Sequence, residues 1–344
     1  MVRISDLVKA SHPAPQVPAK AAAAPSPLSH PAVVSRPVQV AAANFQNSAE
    51  LYQRLLQESE RCLEQVYQQQ QITLGDIPWL IEQALDQVTA DDAQLLRLST
   101  MGDSNFSLAA HGVNVAILSM RVGMELGLRR AALVDVGVAA LLHDIGMMKI
   151  RHLLHAPYHL NPDQVEEIKE HPIWGERIAQ RSSELPPNVR DVIAQEHERQ
   201  DGSGYPRKLS GDDIQKDAQL VGLADMYEAL THNRPYRQRL VPAEATRVIT
   251  QQHKNAFRTP LLRAFLRGVP IFPVESWVRL SSGDLAEVVA TTSRYPLMPT
   301  VVIRYDRLRQ PYPHPRTVDL SRDMQFSIIE AIPDPAELAS QPAS

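Results

Sequence analysis

Between Ile72 and Gly268 apolar residues recur every three or four positions, most regularly in HGVNVAILSMRVGMEL and RAALVDVGVAALLHD. That interval lines one face of a helix, so the stretch reads as all-α. After Pro270 the period shortens. The runs SWVRL, LAEVVAT, PTVVIRY and FSIIEAI are rich in β-branched residues and are separated by SSGD, RYPLMP and RQPYPHP, which predicts a small antiparallel β module. Upstream, SAELYQRLLQESERCLEQVYQQQ sets Leu51, Leu55, Leu63 and Val66 among Glu, Gln and Arg. This is the pattern of an amphipathic helix with Ser48 as its N-cap, whose apolar stripe needs a cover from a second subunit or from the next domain. From Ser11 to Ala43 the chain is mostly Ala, Pro, Ser and Val; the prolines prevent a long helix and the small side chains bury little, so a disordered tether is expected. The divisions are a tether (1–45), a helical N-terminal region (46–97), a larger helical domain (98–270), a small β extension (271–335) and a tail (336–344), with no internal repeat.

The 344 residues are 44% hydrophobic and 22% charged, the balance of a globular protein of more than one domain. A net charge of -4 excludes a broad electrostatic footprint for duplex nucleic acid, although a local arginine cluster can still hold one phosphorylated ligand. Cys62 is the only cysteine, which rules out an intrachain disulfide and a cysteine zinc cluster. Any metal here must therefore use histidine and carboxylate. No run of about 18 apolar residues is present to span a bilayer, and MVRISDLVKASHPAPQ lacks the apolar core of a signal peptide, so a cytoplasmic location is expected.

The candidate ligands appear in order along the helical domain: His111 early in an apolar helix, His143 and Asp144 in LLHDIG, His171 in HPIWGERI, Glu196 and His197 in AQEHERQDGSGYP, and Asp225 in GLADMYEAL. All but the Glu196–His197 pair lie on or beside helices that are otherwise apolar, where a side chain facing inward needs a partner. A core histidine satisfied by a backbone carbonyl is the ordinary explanation for any one of them. Five such sites in one domain point instead to a metal.

HDIG, HPIWGERI, HERQDGSGYP and ADMYEALTHNRPYR, in that order, resemble the HD-GYP family of cyclic di-GMP phosphodiesterases over roughly residues 100–268, and the segment up to about 330 resembles the β extension of some members. The resemblance implies an all-helical HD-type phosphohydrolase domain with two divalent ions, Fe or Mn. It implies Asp144 as the bridge, His111, His143 and Asp225 completing one ion, and His171, His197 and Glu196 holding the other. A hydroxide bridging the two ions would attack phosphorus in line with the departing 3′ oxygen, giving linear pGpG and then GMP. Tyr205, presented by Gly202, Gly204 and Pro206, and the guanidinium groups of Arg234 and Arg237 would bind substrate, with Arg239 on the surface. Cyclic di-GMP is the partner implied, with diguanylate cyclase-type signalling proteins and a homodimer as further expectations.

Three positions depart from the family pattern. Ser107 stands where members with three metals carry a Glu, so a third ion is not expected; Glu196 replaces the first His of a His-His-Glu-Arg sequence; and Met147 replaces a Lys, with Lys149 nearby. Met147 and Glu196 are the features that would support an alternative, a degenerate domain that binds nucleotide or a partner protein without turnover. A phosphohydrolase for another nucleotide is a third reading, against which GSGYP and RPYR weigh. Glu198 and Arg199 are expected to brace the loop through ion pairs. His152, His155 and His159 read as exposed, and His232 as part of a polar turn.

Overall fold

Two helices that are apolar on nearly every face, α4 (Leu108–Glu125) and α5 (Arg130–Leu142), form the centre of the helical part, in a computed structural model that describes residues 48–90, 93–100, 107–154, 161–233, 239–292, 294–332 and 335. Their residues are buried almost without interruption. Around them lie α1 (Ser48–Gln69), α2 (Ile77–Thr89), α3 (Ala93–Thr100), α9 (Pro187–Gln195), α10 (Lys216–Thr231) and α12 (Thr259–Gly268). A 3-10 helix (Ile145–Ile150) and the short α6 (Arg151–Leu154) follow α5, then α7 (Pro162–Ile168) and α8 (His171–Ala179), while α11 (Pro242–Gln252) separates α10 from α12. The expected tether, Arg234, Arg237, His155, His159 and the C-terminal tail lie outside the described residues.

The stripe on α1 is covered within the chain. Leu51, Leu55, Cys62 and Val66 are buried in one hydrophobic core with Val113, Ile117 and Leu141. Burying Leu51, Leu55 and Val66 is worth roughly 5–9 kcal/mol gross, far above the side-chain entropy lost, so α1 is a structural layer of the domain. That core also continues past residue 270 into the sheet through Val278, Leu280 and Val288, so neither 98 nor 270 marks a break in packing. Ser48, expected as the cap, is the first helical residue of α1.

The C-terminal unit is a five-stranded antiparallel sheet in the order β4-β3-β2-β1-β5, formed by β1 (Trp277–Leu280), β2 (Leu285–Ala290), β3 (Thr300–Tyr305), β4 (Pro311–Asp319) and β5 (Ile328–Ile332). The segment RQPYPHP, expected to be a break, instead contributes Pro311, Pro313 and Pro315 to β4. β4 is an edge strand paired with β3 alone and exposed over most of its length, which is where a missing N–H is tolerated.

The expectation of no span-length apolar segment needs one qualification. The continuous run Arg130–Leu154, 25 residues, is apolar and long enough to cross a bilayer by composition, but 78% of its most apolar window is buried against the rest of the protein, as in a core helix.

Candidate metal centre

The seven proposed ligands sit where helices end or cross. His111 is within α4, His143 is the residue after α5, Asp144 follows it, His171 is the first residue of α8, Glu196 and His197 follow α9, and Asp225 lies on α10. Gly146 explains how two of these segments meet: a Cβ there would collide with the His171 carbonyl and the Gly175 backbone nitrogen. Only glycine lets the turn after Asp144 lie against the start of α8.

Each core histidine has its ring fixed from behind. His143 Nδ1 donates to the Ala140 carbonyl at 2.7 Å, His171 Nδ1 donates to the Ile168 carbonyl at 2.7 Å, and His111 Nδ1 donates to Glu228 Oε2 at 2.6 Å. A carbonyl can only accept, so in a neutral ring the proton stays on Nδ1 and the Nε2 lone pair faces inward. Asp144 receives these rings on both sides: Oδ1 lies 3.1 Å from His171 Nε2, and Oδ2 lies 3.5 Å from the Nε2 atoms of His111 and His143. Glu196 Oε1 is 3.2 Å from His171 Nε2, and its Oε2 is 2.9 Å from His197 Nδ1. Asp225 also spans the centre, with Oδ1 3.2 Å from His111 Nε2 and Oδ2 3.9 Å from His197 Nδ1.

This donor set fits divalent metal. Two groups, Asp144–His171–Glu196–His197 and His111–His143–Asp144, each gather their donor atoms within 4.8 Å and share Asp144. His143 Nε2 and Glu196 Oε2 are buried without a hydrogen bond, and the Glu196 oxygen has His197 Nδ1 as an ion-pair neighbour at 2.9 Å. Buried lone pairs of this kind are costly unless something binds them. Burial alone would push the Asp144 carboxyl up, but His143, His171 and His111 hold it well below the usual carboxylate range. Asp225 and Glu196 are likewise held below their ordinary values against burial, by His111 and His197 respectively, each with neighbouring histidines. Burial disfavours charge on His171, yet Asp144 and Glu196 raise its pKa to about 10. Three carboxylates in a largely buried site call for cations, which protons on histidine or metal ions can supply.

Other predicted residues have definite places. The Tyr205 ring stacks on His197 with centroids 4.5 Å apart, and burial together with Glu196 raises its hydroxyl pKa. Gly202 has φ +76°, whereas Gly204 is needed for close approach, since a Cβ would meet the Glu198 Cα and the His197 carbonyl at 2.5 Å. The Tyr205–Pro206 bond is cis. Arg239 is exposed, as expected, and Ser107 serves as the N-cap of α4, accepting from the Ala110 N–H at 3.4 Å. Met147 is partly buried and packs between the main core and a small cluster of Ile150, Leu153 and Trp174; Lys149 is exposed, its Nζ 4.5 Å from the Trp174 ring centroid.

Two expectations are corrected. Glu198 and Arg199 brace the loop through backbone groups rather than ion pairs: Glu198 accepts from the Arg207 and Leu209 N–H groups at 2.7 and 2.9 Å, and Arg199 donates to the Glu196 and Glu198 carbonyls at 2.8 and 3.0 Å. The loop folds back over its own start, so backbone donors and acceptors are what these side chains reach. His232, expected in a polar turn, is buried where α10 ends. Its Nδ1 donates to the Glu228 carbonyl at 3.0 Å, and Asn114 Nδ2 lies 3.4 Å from its Nε2.

Asn114 and Glu228 were not singled out from sequence. Asn114 donates to Glu228 Oε1 at 3.2 Å and accepts from the Tyr52 hydroxyl at 2.7 Å, so a chain of hydrogen bonds runs from α1 to the ring of His111. The signal was available: Asn114 is three residues after His111, and Glu228 three after Asp225, on the helix faces that carry those ligands.

The HD domain family model matches residues 80–258. The chain is 34% identical over 245 residues to a cyclic di-GMP phosphodiesterase of Pseudomonas aeruginosa, a match covering 71% of this chain and 58% of the relative. It is also 34% identical over 159 residues to a cyclic di-GMP phosphodiesterase of Thermotoga maritima, covering 46% of this chain and 43% of that protein. These matches leave two-fifths or more of each relative's length outside the chain's reach. Among solved structures, an HDG"Y"P protein from Bdellovibrio bacteriovorus superposes with a TM-score of 0.52 at 20% identity, covering 65% of this chain and 73% of the other, a likeness of fold.

Proposed function

The chain belongs to the HD domain family, and we propose that it hydrolyses cyclic di-GMP to linear pGpG, with GMP as a further product, at a centre of two divalent ions. The observation that carries this reading is Asp144, whose two oxygens face different groups of histidines at 3.1 and 3.5 Å. A carboxylate so placed is suited to bridge two ions. His111, His143 and Asp225 would complete one, and His171, His197 and Glu196 the other, with imidazole and carboxylate suiting Fe or Mn. When bound, such a pair supplies Lewis acidity to a phosphodiester and acidifies water at neutral pH.

The chain's own residues set the conditions for that chemistry. Backbone carbonyls and Glu228 hold three histidine rings in the tautomer that presents Nε2. The stack of Tyr205 on His197 orients that ring, and the partly exposed tyrosine would offer its ring to a nucleobase. Arg234 and Arg237 are assigned to substrate phosphate on sequence grounds. The test is anaerobic purification with Fe or Mn, metal stoichiometry, and assay for linear product from cyclic di-GMP; metal at two per chain with turnover is the expected result, and metal without turnover would defeat it. A second reading, ligand binding without hydrolysis, is favoured by one observation: Met147 packs into an apolar cluster instead of offering a cation.

A further inference from the structure

Away from the proposed ligands, a cavity of about 360 Å³ opens between the end of α1, the 3-10 helix after Asp144 and the last turn of α8, lined by Gln70, Lys149, Trp174, Arg177, Ile178 and Arg181. Three of its six lining residues are cations. None has a carboxylate partner among the described residues, and on the two helices beside the cavity Glu64 pairs with Arg151 at 3.0 Å and Glu176 with Arg207. The floor is apolar, made of the buried Trp174 and Ile178, and the Lys149 ammonium is held over the indole.

The charge balance favours an anion. The end of α8 contributes about half a negative charge from its carbonyls, which three full positive charges outweigh. Guanidinium groups pair with phosphate oxygens in a forked geometry, and an ammonium adds a point charge. A volume equal to about a dozen waters at ~30 Å³ each exceeds what a bare phosphate needs and falls at the low end for small-molecule pockets.

We propose that this cavity is an anion site, separate from the metal centre, for a small organic phosphate monoester. Three cations discriminate a dianionic monoester from the singly charged phosphates of a cyclic diester. On the function proposed above, the products carry a monoester end and the substrate does not, so the site would respond to product. It would also link the segment that follows Asp144, through Lys149, to the helix that begins at His171, through Arg177 and Arg181.

The test uses 5′-GMP as probe, with guanosine and inorganic phosphate as controls, in calorimetric titrations of the full chain. Wild type and Asp144→Ala should bind 5′-GMP equally. The exposed-residue double variant Arg177→Ala/Arg181→Ala should bind it at least about tenfold more weakly, the loss expected when charged hydrogen bonds are removed. Guanosine should not bind, and phosphate should bind more weakly than 5′-GMP. The proposal is overturned if wild type does not bind 5′-GMP, if the double variant binds it unchanged, if guanosine matches it, or if phosphate alone matches it. Loss of binding in Asp144→Ala would place the ligand at the metal centre and overturn the separate site. A chain that binds 5′-GMP through the arginines yet never hydrolyses cyclic di-GMP would defeat the proposed function alone.

Discussion

The two halves of the centre are held by different means. His111 lies within one long core helix and His143 directly follows the other, and the side chain of Glu228 and the carbonyl of Ala140 fix their rings. Glu196 and His197 follow the end of α9, where Arg199 on the Glu196 carbonyl, Glu198 on two backbone N–H groups and the Tyr205 N–H on the His197 carbonyl fix the backbone. A site built on side-chain networks depends on the identity of each member. The loop half is tied at its backbone by the Arg199 and Glu198 side chains and not by that of Glu196, so its shape should survive a change at Glu196.

Asp144→Ala tests what the halves share and carries the largest expected effect. Both groups lose a donor, so bound metal and turnover should both disappear while the far-ultraviolet circular dichroism is retained by the broad apolar core. Full metal occupancy in this variant would remove the bridge and the comparison with it.

Next in size is Glu228→Ala. It removes the acceptor of His111 Nδ1 and one acceptor of the Asn114 amide, and outer-shell losses of this kind cost about 10–100-fold in metal affinity. A competition titration with a chelating dye would read the change. Tyr52→Phe removes only the far end of the same chain, so its loss should be smaller, on the order of a single hydrogen bond or about 1 kcal/mol.

Glu196→Gln should lower affinity less than Glu228→Ala does, because a neutral oxygen stays near the ion while the backbone of the loop is unchanged. Metal content per chain would fall partway without vanishing. If Glu196→Gln proves worse than Glu228→Ala, the loop-held half is the more demanding one and the contrast is reversed.

The sequence carried the ligands more clearly than their supports. His111, His143, His171 and Asp225 stood out because polar groups on apolar helices require partners, and the structure brings them together. Asn114, Glu228 and His232 stood out less: a three-residue spacing puts Asn114 and Glu228 on the ligand faces, but no chain-local pattern declares the contacts they make between α4, α10 and α1. The stripe on α1 was legible as a stripe, yet nothing in its period says which surface covers it. β4 was hidden by its prolines, which are compatible with a strand only at an edge, and edge position is a property of the assembled sheet.

The smallest effect is expected from Met147→Lys. The side chain lies between the main core and the Ile150–Leu153–Trp174 cluster, partly exposed, so a lysine can keep its stem on the apolar surface and move its ammonium outward. Stability should drop by about 1 kcal/mol, readable as a small shift in the denaturant midpoint. If the missing cation alone limited catalysis, this variant would bind substrate more tightly or turn over faster, since it restores positive charge near the developing charge on phosphorus. We expect no gain, because the Met147 side chain packs against the apolar Ile150–Leu153–Trp174 cluster and a lysine there would carry its ammonium outward to solvent. Steady-state kinetics of wild type, Met147→Lys and Met147→Lys/Glu196→His separate the cases. A wild type inactive with every metal, beside a double variant that turns over, would mean that the backbone-held half preserved its shape while its chemistry was lost, and that the chain binds rather than cleaves.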